Sequence, residues 1–351
     1  MKKRKDSQLV KNQRENNKVK TALVLSGGGA KGAYQVGIIE ELLKADIYPD
    51  LITASSIGAY NGALVAEFIR EVNSAEEITK KLKKVWEQSS DLLEIDWKGI
   101  AKNIYSPHKI TSIFKNNNIK KILNEYIKVE RSFSDYNKCQ LSVTATNLNQ
   151  KRSEIFDYNS KIGVKKAVLA SMSYPVGLPA VQWDGDNYID GGVLDNTPLK
   201  EAILWGAERI FVVFLTPISV IKDNIGKILT QRLFNCEKEG YSAIKVLDEL
   251  IELASGTLMY GDLKRAEKIN ELINLLYNYE DKLDPNFLND IKDVFNLNKN
   301  SGKRIIDIIK IAPEYILDPP GTMGFYRRKD IEKLILKGKE DMKKTLKKYE
   351  L

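Results

Sequence analysis

The sequence predicts an α/β protein: a three-layer α/β/α sandwich with a mostly parallel central sheet and a helical C-terminal addition. Two observations predict it. Short unbroken apolar runs alternate with helical pattern over the first 215 residues, which is how a parallel sheet is threaded between helices. Two of those runs also end on glycine or serine turns that lead straight into a helix. Composition agrees, since 43% apolar and 29% charged residues in 351 fit a globular chain and exclude disorder, collagen and a disulfide scaffold. Cys139 and Cys236 read as two buried, reduced thiols.

The elements follow in order. Thr21–Ser26 (TALVLS) is a buried strand closing on Gly27-Gly28-Gly29, and 31–45 is a helix with Val36, Ile39, Leu42 and Leu43 on one face. Leu51–Ala54 is a second strand, with a helix directly after it from Ile57 to about Arg70. Ala75–Gln88 has polar helical pattern, and a looser section runs to about residue 130. Strands are expected at 140–146 and 154–158, then a helix at 164–172. Asp184-Gly185 between two short apolar segments marks a hairpin turn. A helix near 199–205 leads into Arg209–Leu215 (RIFVVFL), a further buried strand. Residues 218–300 read as mostly helical, 304–311 as a final strand and 329–349 as a basic amphipathic helix. The expected organisation is a basic, flexible tail over 1–20, a core over 21–216 and a mostly helical C-terminal region over 217–351, whose last strand and helix pack on the core.

Charge gathers at the ends. Residues 1–20 carry eight basic side chains against two acidic, and residues 327–351 ten against five. Three readings compete: solvated tails, nucleic-acid contact and attraction to an anionic membrane. Nucleic acid fits least, because the basic ends lack interleaved stacking aromatics. The longest near-apolar stretch, 203–221, is broken by Glu208, Arg209 and Pro217, which excludes a membrane span there. The charged N-terminus lacks the apolar centre of a secretory signal, so the expected location is cytoplasmic, with peripheral contact at membranes.

Chemistry concentrates in three turns. Gly27, Gly29 and Gly32 fit G-x-G-x-x-G after a strand and before a helix, the dinucleotide fingerprint. That reading needs an acidic residue at the exit of the next strand, whereas Asp50 precedes it. A P-loop fails because Ala33 follows Gly32. What remains is a row of backbone N–H groups beside a helix N-terminus, a site for a phosphate or a developing oxyanion. The second turn, Ala54-Ser55-Ser56-Ile57-Gly58, has the small residues of a nucleophile elbow, with Ala54 in place of the usual first glycine. Read alone, Ser56 is equally a helix N-cap. Its base has two candidates. One is His108, the single histidine, which also rules out a multi-histidine metal site; the other is Asp190, ahead of Gly191-Gly192.

These residues give the chain its resemblance. It resembles the patatin-like phospholipases in Gly27–Gly32, in Ser56-Ile57-Gly58-Ala59 and in Asp190-Gly191-Gly192, with further echoes at 144–147, 170–175 and 338–341. The resemblance covers about residues 20–216, and it implies a patatin-like sandwich with a Ser56–Asp190 dyad that uses no histidine. It also implies an oxyanion hole made by the N–H groups of Gly27, Gly28 and Gly29, with Gly32, Gly58, Gly191 and Gly192 shaping the turns. The implied activity is lipid acyl hydrolysis of the phospholipase A or lysophospholipase type, on a phospholipid or other acyl-lipid substrate, with no cofactor and no metal. A thioesterase or neutral-lipid esterase on the same dyad is the alternative, and so is an inactive lipid-binding protein, which only Ala54 favours. Two features hint at a lipid surface: the basic ends and an apolar face over 218–234.

Overall fold

In the computed structural model, residues 19–89, 92–102, 112–128, 130–219, 260–275, 305–317 and 328–351 are described, with the single residues 278 and 284. The basic tail before residue 19, the apolar face over 218–234 beyond residue 219, His108 and Cys236 lie outside them. Buried Cys139 has its thiol pushed up by desolvation, which keeps it protonated and inert.

An eight-stranded mixed sheet forms the middle layer. Four apolar strands run in parallel with a fifth: β1 (Thr21–Leu25), β2 (Leu51–Ser55), β5 (Gln140–Asn147), β9 (Arg209–Val213) and β10 (Asp307–Ile311), in the order β10-β9-β1-β2-β5. β6 (Arg152–Phe156), β7 (Val181–Trp183) and β8 (Asp186–Asp190) close the far side in antiparallel pairs. β1, β2 and β5 are buried on both faces, which is why β1 and β2 read as near-unbroken apolar runs, while β5 is buried with polar residues among its apolar ones. Asp184 and Gly185 both take positive φ, 50° and 83°, as the tight β7–β8 turn requires. A separate two-stranded ribbon pairs β3 (Glu94–Ile95) with β4 (Phe114–Lys115).

Helices cover both faces. On one side lie α1 (Ala33–Lys44), α2 (Ile57–Glu71), α3 (Ala75–Gln88), α6 (Val164–Ser171) and the C-terminal α9 (Arg328–Tyr349), joined in one apolar cluster with Leu23, Leu25 and Ile52. On the other, α7 (Leu199–Leu204) and α8 (260–275) pack against Ala22, Val24, Ile210 and Val212. Alternate residues of β1 therefore feed opposite layers, the period-2 geometry of a strand. Two short helices, α4 (Trp97–Lys102) and α5 (Asn117–Tyr126), complete the described α-helices. The α1–α9 contact is tight: a Cβ on Gly338 would lie 2.0 Å from the Tyr34 carbonyl oxygen, and Tyr34 donates to Asp341 Oδ2 at 2.9 Å. No helix among the described residues is long and apolar enough to cross a membrane.

Candidate active site

The carboxyl ends of β1 and β2 meet the end of β8, and register alone dictates the meeting. Consecutive positions on β5 pair with Ser55 (at Thr144) and with Asp190 (at Ala145), so two strands approaching from opposite directions finish side by side. Ligands of open α/β sheets bind at these strand ends.

Ser56 is the first residue past β2. It adopts φ 55°, ψ −126°, a region a side chain enters only under constraint, and α2 begins at the next residue. Two contacts hold it there. The Ser56 N–H donates to Ser171 Oγ at 2.8 Å, and Gly58 lets α2 approach β1 so closely that a Cβ would sit 2.3 Å from the Leu25 carbonyl oxygen. The tight turn tolerates Ala54, which is fully buried. The side chain of Ser56 makes no N-cap hydrogen bond. Its Oγ lies 2.5 Å from Asp190 Oδ2 instead.

Asp190 is 3% exposed. Its other oxygen accepts the Gly192 N–H at 2.7 Å, its own N–H donates to Ser173 O, and its carbonyl accepts from Thr146 Oγ1. Desolvation pushes its carboxyl up to about 7, against the Ser56 and Gly192 hydrogen bonds, which lower it. A carboxylate in that range is a general base matched to neutral pH.

The glycine turn faces the pair. Gly29 takes φ 55°, a left-handed conformation that glycine enters without a Cβ penalty. Gly29–Gly32 form a short 3-10 turn into α1, and Gly32 packs against Ile57 and Trp86 so closely that a Cβ would clash. The expectation that all three glycines donate to an oxyanion is narrowed at Gly27, whose N–H is taken by the Asn196 carbonyl at 3.1 Å. The N–H groups of Gly28 and Gly29 make no hydrogen bond among the described residues. A buried chain braces this turn: Gln35 donates to Ser26 O, Asn61 donates to Gln35 Oε1 and Gly32 O, and Trp86 Nε1 donates to Asn61 Oδ1.

Ser56, Gly29 and Asp190 open onto an apolar pocket. Leu92, Leu93, Ile119, Met172, Tyr174 and Leu178 line it. Among the described residues no group of His, Cys, Asp and Glu could hold a metal ion. Sequence reasoning missed several of these residues. Asn196 acts through backbone contacts that only the tertiary fold creates, and so does Ser171, which stands in the 170–175 segment of the resemblance with no role assigned to it. Ile119 had a readable signal, because Ile119, Ile122, Leu123 and Tyr126 keep helical spacing in α5.

The match to known proteins falls on the same segments. A family model described as patatin-like phospholipase matches residues 23–203, more than half of the chain. The chain belongs to the patatin-like phospholipase family. Two relatives are lysophospholipases: one from Aspergillus terreus, 30% identical over 206 residues, and one from Lodderomyces elongisporus, 29% identical over 194. The aligned parts are 58% and 54% of this chain but 12% of each relative, so the chain spans a small part of those proteins. The solved structure of VipD from Legionella pneumophila aligns over 94% of this chain and 67% of its own, at 14% identity and a TM-score of 0.43.

Proposed function

We propose that the chain is a serine lipid acyl hydrolase of the lysophospholipase or phospholipase A type, working through a Ser56–Asp190 dyad. The observation that carries the reading is the 2.5 Å contact between Ser56 Oγ and a desolvated Asp190, at the end of an apolar pocket. Ionised Asp190 takes the Ser56 proton as Oγ attacks the ester carbonyl. The tetrahedral oxyanion is met by the N–H groups of Gly28 and Gly29, beside the start of α1, where one such donor is worth about 2.7–4 kcal/mol. Protonated Asp190 then gives its proton to the leaving alcohol, and an acyl-Ser56 remains. Water repeats the sequence: Asp190 takes its proton, the hydroxide attacks, and the proton returns to Ser56 Oγ as fatty acid leaves. The acyl chain lies along Leu92, Ile119 and Leu178, where its methylenes gain about 0.8 kcal/mol each on leaving water.

The test is fatty-acid release from lysophosphatidylcholine and from mixed phospholipid vesicles, comparing the native chain with Ser56→Ala, Asp190→Asn and His108→Ala. Release is expected to vanish in the first two variants and to persist in the third. Release that survives Ser56→Ala, or that depends on His108, contradicts the dyad.

A further inference from the structure

The segments that wall the pocket carry apolar side chains that face water. Trp97 follows the wall residues Leu92 and Leu93 and is 69% exposed; Val176 sits between the wall residues Tyr174 and Leu178 and is 49% exposed. Among the described residues, the more strongly exposed Leu204, Leu336 and Tyr315 lie on segments that line no part of the pocket. The two segments are tied together through β4. Asp96 N–H donates to Ile113 O at 2.8 Å, Ile113 N–H to Val176 O at 2.9 Å and Phe114 N–H to Gly177 O at 2.8 Å. Trp97 and Val176 therefore stand on one rim, about two strand spacings or 10 Å apart.

Val176 also carries strain. Its φ is 66°, a region that a β-branched residue enters at a cost, and Gly177 next to it would enter more easily. Such outliers persist where the surroundings fix them, and they gather at binding and catalytic sites. Here the result is a valine held out into water beside the pocket. The charge around Trp97 is basic on balance. Glu94 and Asp96 are both approached by Lys115, at 3.3 and 3.5 Å, while exposed Lys98 and Lys102 on α4 make no ion pair among the described residues.

We propose that this rim is a lipid-docking surface, with Trp97 and Val176 entering the interface of an anionic bilayer and Lys98 and Lys102 meeting its headgroups. Large apolar and aromatic side chains ringed by lysines are what an interfacial segment presents to such a membrane. Docking on this face turns the pocket mouth toward the bilayer, so an acyl chain enters without crossing water. The inference deepens the hydrolase reading and rests on it for the identity of the partner.

The test uses the full chain and vesicles of ether-linked phosphatidylcholine, with and without ether-linked phosphatidylglycerol. Ether lipids have no ester to cleave, so binding is read apart from turnover. Of the four tryptophans, Trp86 and Trp205 are buried and Trp183 half-buried, so vesicle-induced changes report on Trp97. Vesicles containing phosphatidylglycerol are expected to shift the emission to the blue and to shield it from acrylamide. Trp97→Ala abolishes that shift and weakens vesicle binding roughly tenfold. Val176→Gly weakens it in the same direction, and because glycine relieves the strained φ, that loss is not a loss of folding. Salt weakens binding to anionic vesicles and hardly affects binding to neutral ones. Binding with unchanged tryptophan emission, equal binding by both variants, or no vesicle binding at all overturns the proposal. A chain that releases no fatty acid from ester lipids yet docks through Trp97 refutes the hydrolase reading and supports the surface.

Discussion

Asp190 carries the chemistry that the rest of the site is arranged around. Burial raises its carboxyl to about 7, so at pH 5 it holds a proton and cannot accept one from Ser56. The acid limb of kcat/KM is therefore expected to titrate near 7, well above the ordinary aspartate range, and Asp190→Asn should lower kcat/KM by a factor on the order of 10²–10⁴. A limb near 4, measured on a soluble short-chain ester, would remove Asp190 from the base role. At this scale the sequence was partly readable. Ser56 and Asp190 stand in recognisable turns, and the fold brings them to 2.5 Å across 134 residues of chain. The roles of Ser171, which stands in the 170–175 echo, and of Asn196 gave no such sign, since one accepts a backbone N–H and the other engages the Gly27 backbone, contacts no local pattern encodes. The same Asn196 contact removes Gly27 from the donors of the glycine turn.

Among the elements, α1 links the site to the C-terminus of the chain. It starts at the glycine turn and lies under α9, where three lysines, Lys44, Lys83 and Lys339, surround buried Glu40. Desolvation alone would raise Glu40; hydrogen bonds from Lys339, Lys44 and Lys83 outweigh it and hold the carboxyl down to about 2. Glu40 thus favours the fold above pH 4.5, and its contribution is lost as pH falls toward 2. Gly338 sets the depth of the contact. Gly338→Ala places a methyl 2.0 Å from the Tyr34 carbonyl oxygen, and a urea titration should show about 1–3 kcal/mol of lost stability. Unchanged stability would mean that α9 shifts freely on α1. β1, β2 and β9 were the most legible strands because burial on both faces leaves near-unbroken apolar runs. The ribbon β3–β4 was not, because two-residue strands carry no period.

For the whole molecule, the active site has a thermodynamic cost that depends on pH. A carboxyl whose folded value lies above its unfolded one binds its proton more tightly in the native state, so folding weakens as pH rises from about 4 to 7. Asp190 behaves in this way, and Asp195 adds to it: burial first, then Asp262 and Glu201, push its carboxyl up to about 6. Asp190→Asn removes one such group. Relative to the native chain, this variant should gain stability progressively between pH 4 and 8, by an amount on the order of 4 kcal/mol at most. Thermal melts across that range would show the difference growing with pH; a constant difference would mean that Asp190 is ionised throughout. The α/β class was legible at this scale because strand and helix periods alternate cleanly through residue 215. The turn from sequence to site needed more, since the approach of β8 to β2 depends on a pairing register that no single segment reveals.

The most direct measurement is the site and rate of modification by a long-chain alkyl fluorophosphonate, followed by mass spectrometry of the intact chain and its peptides. The reagent captures an activated serine and mimics the tetrahedral stage of acyl transfer. One adduct is expected, on Ser56, forming faster as pH rises through about 7 and slowed by several orders of magnitude in Asp190→Asn. An adduct on another residue, or labelling of Ser56 at an undiminished rate without Asp190, would contradict the dyad.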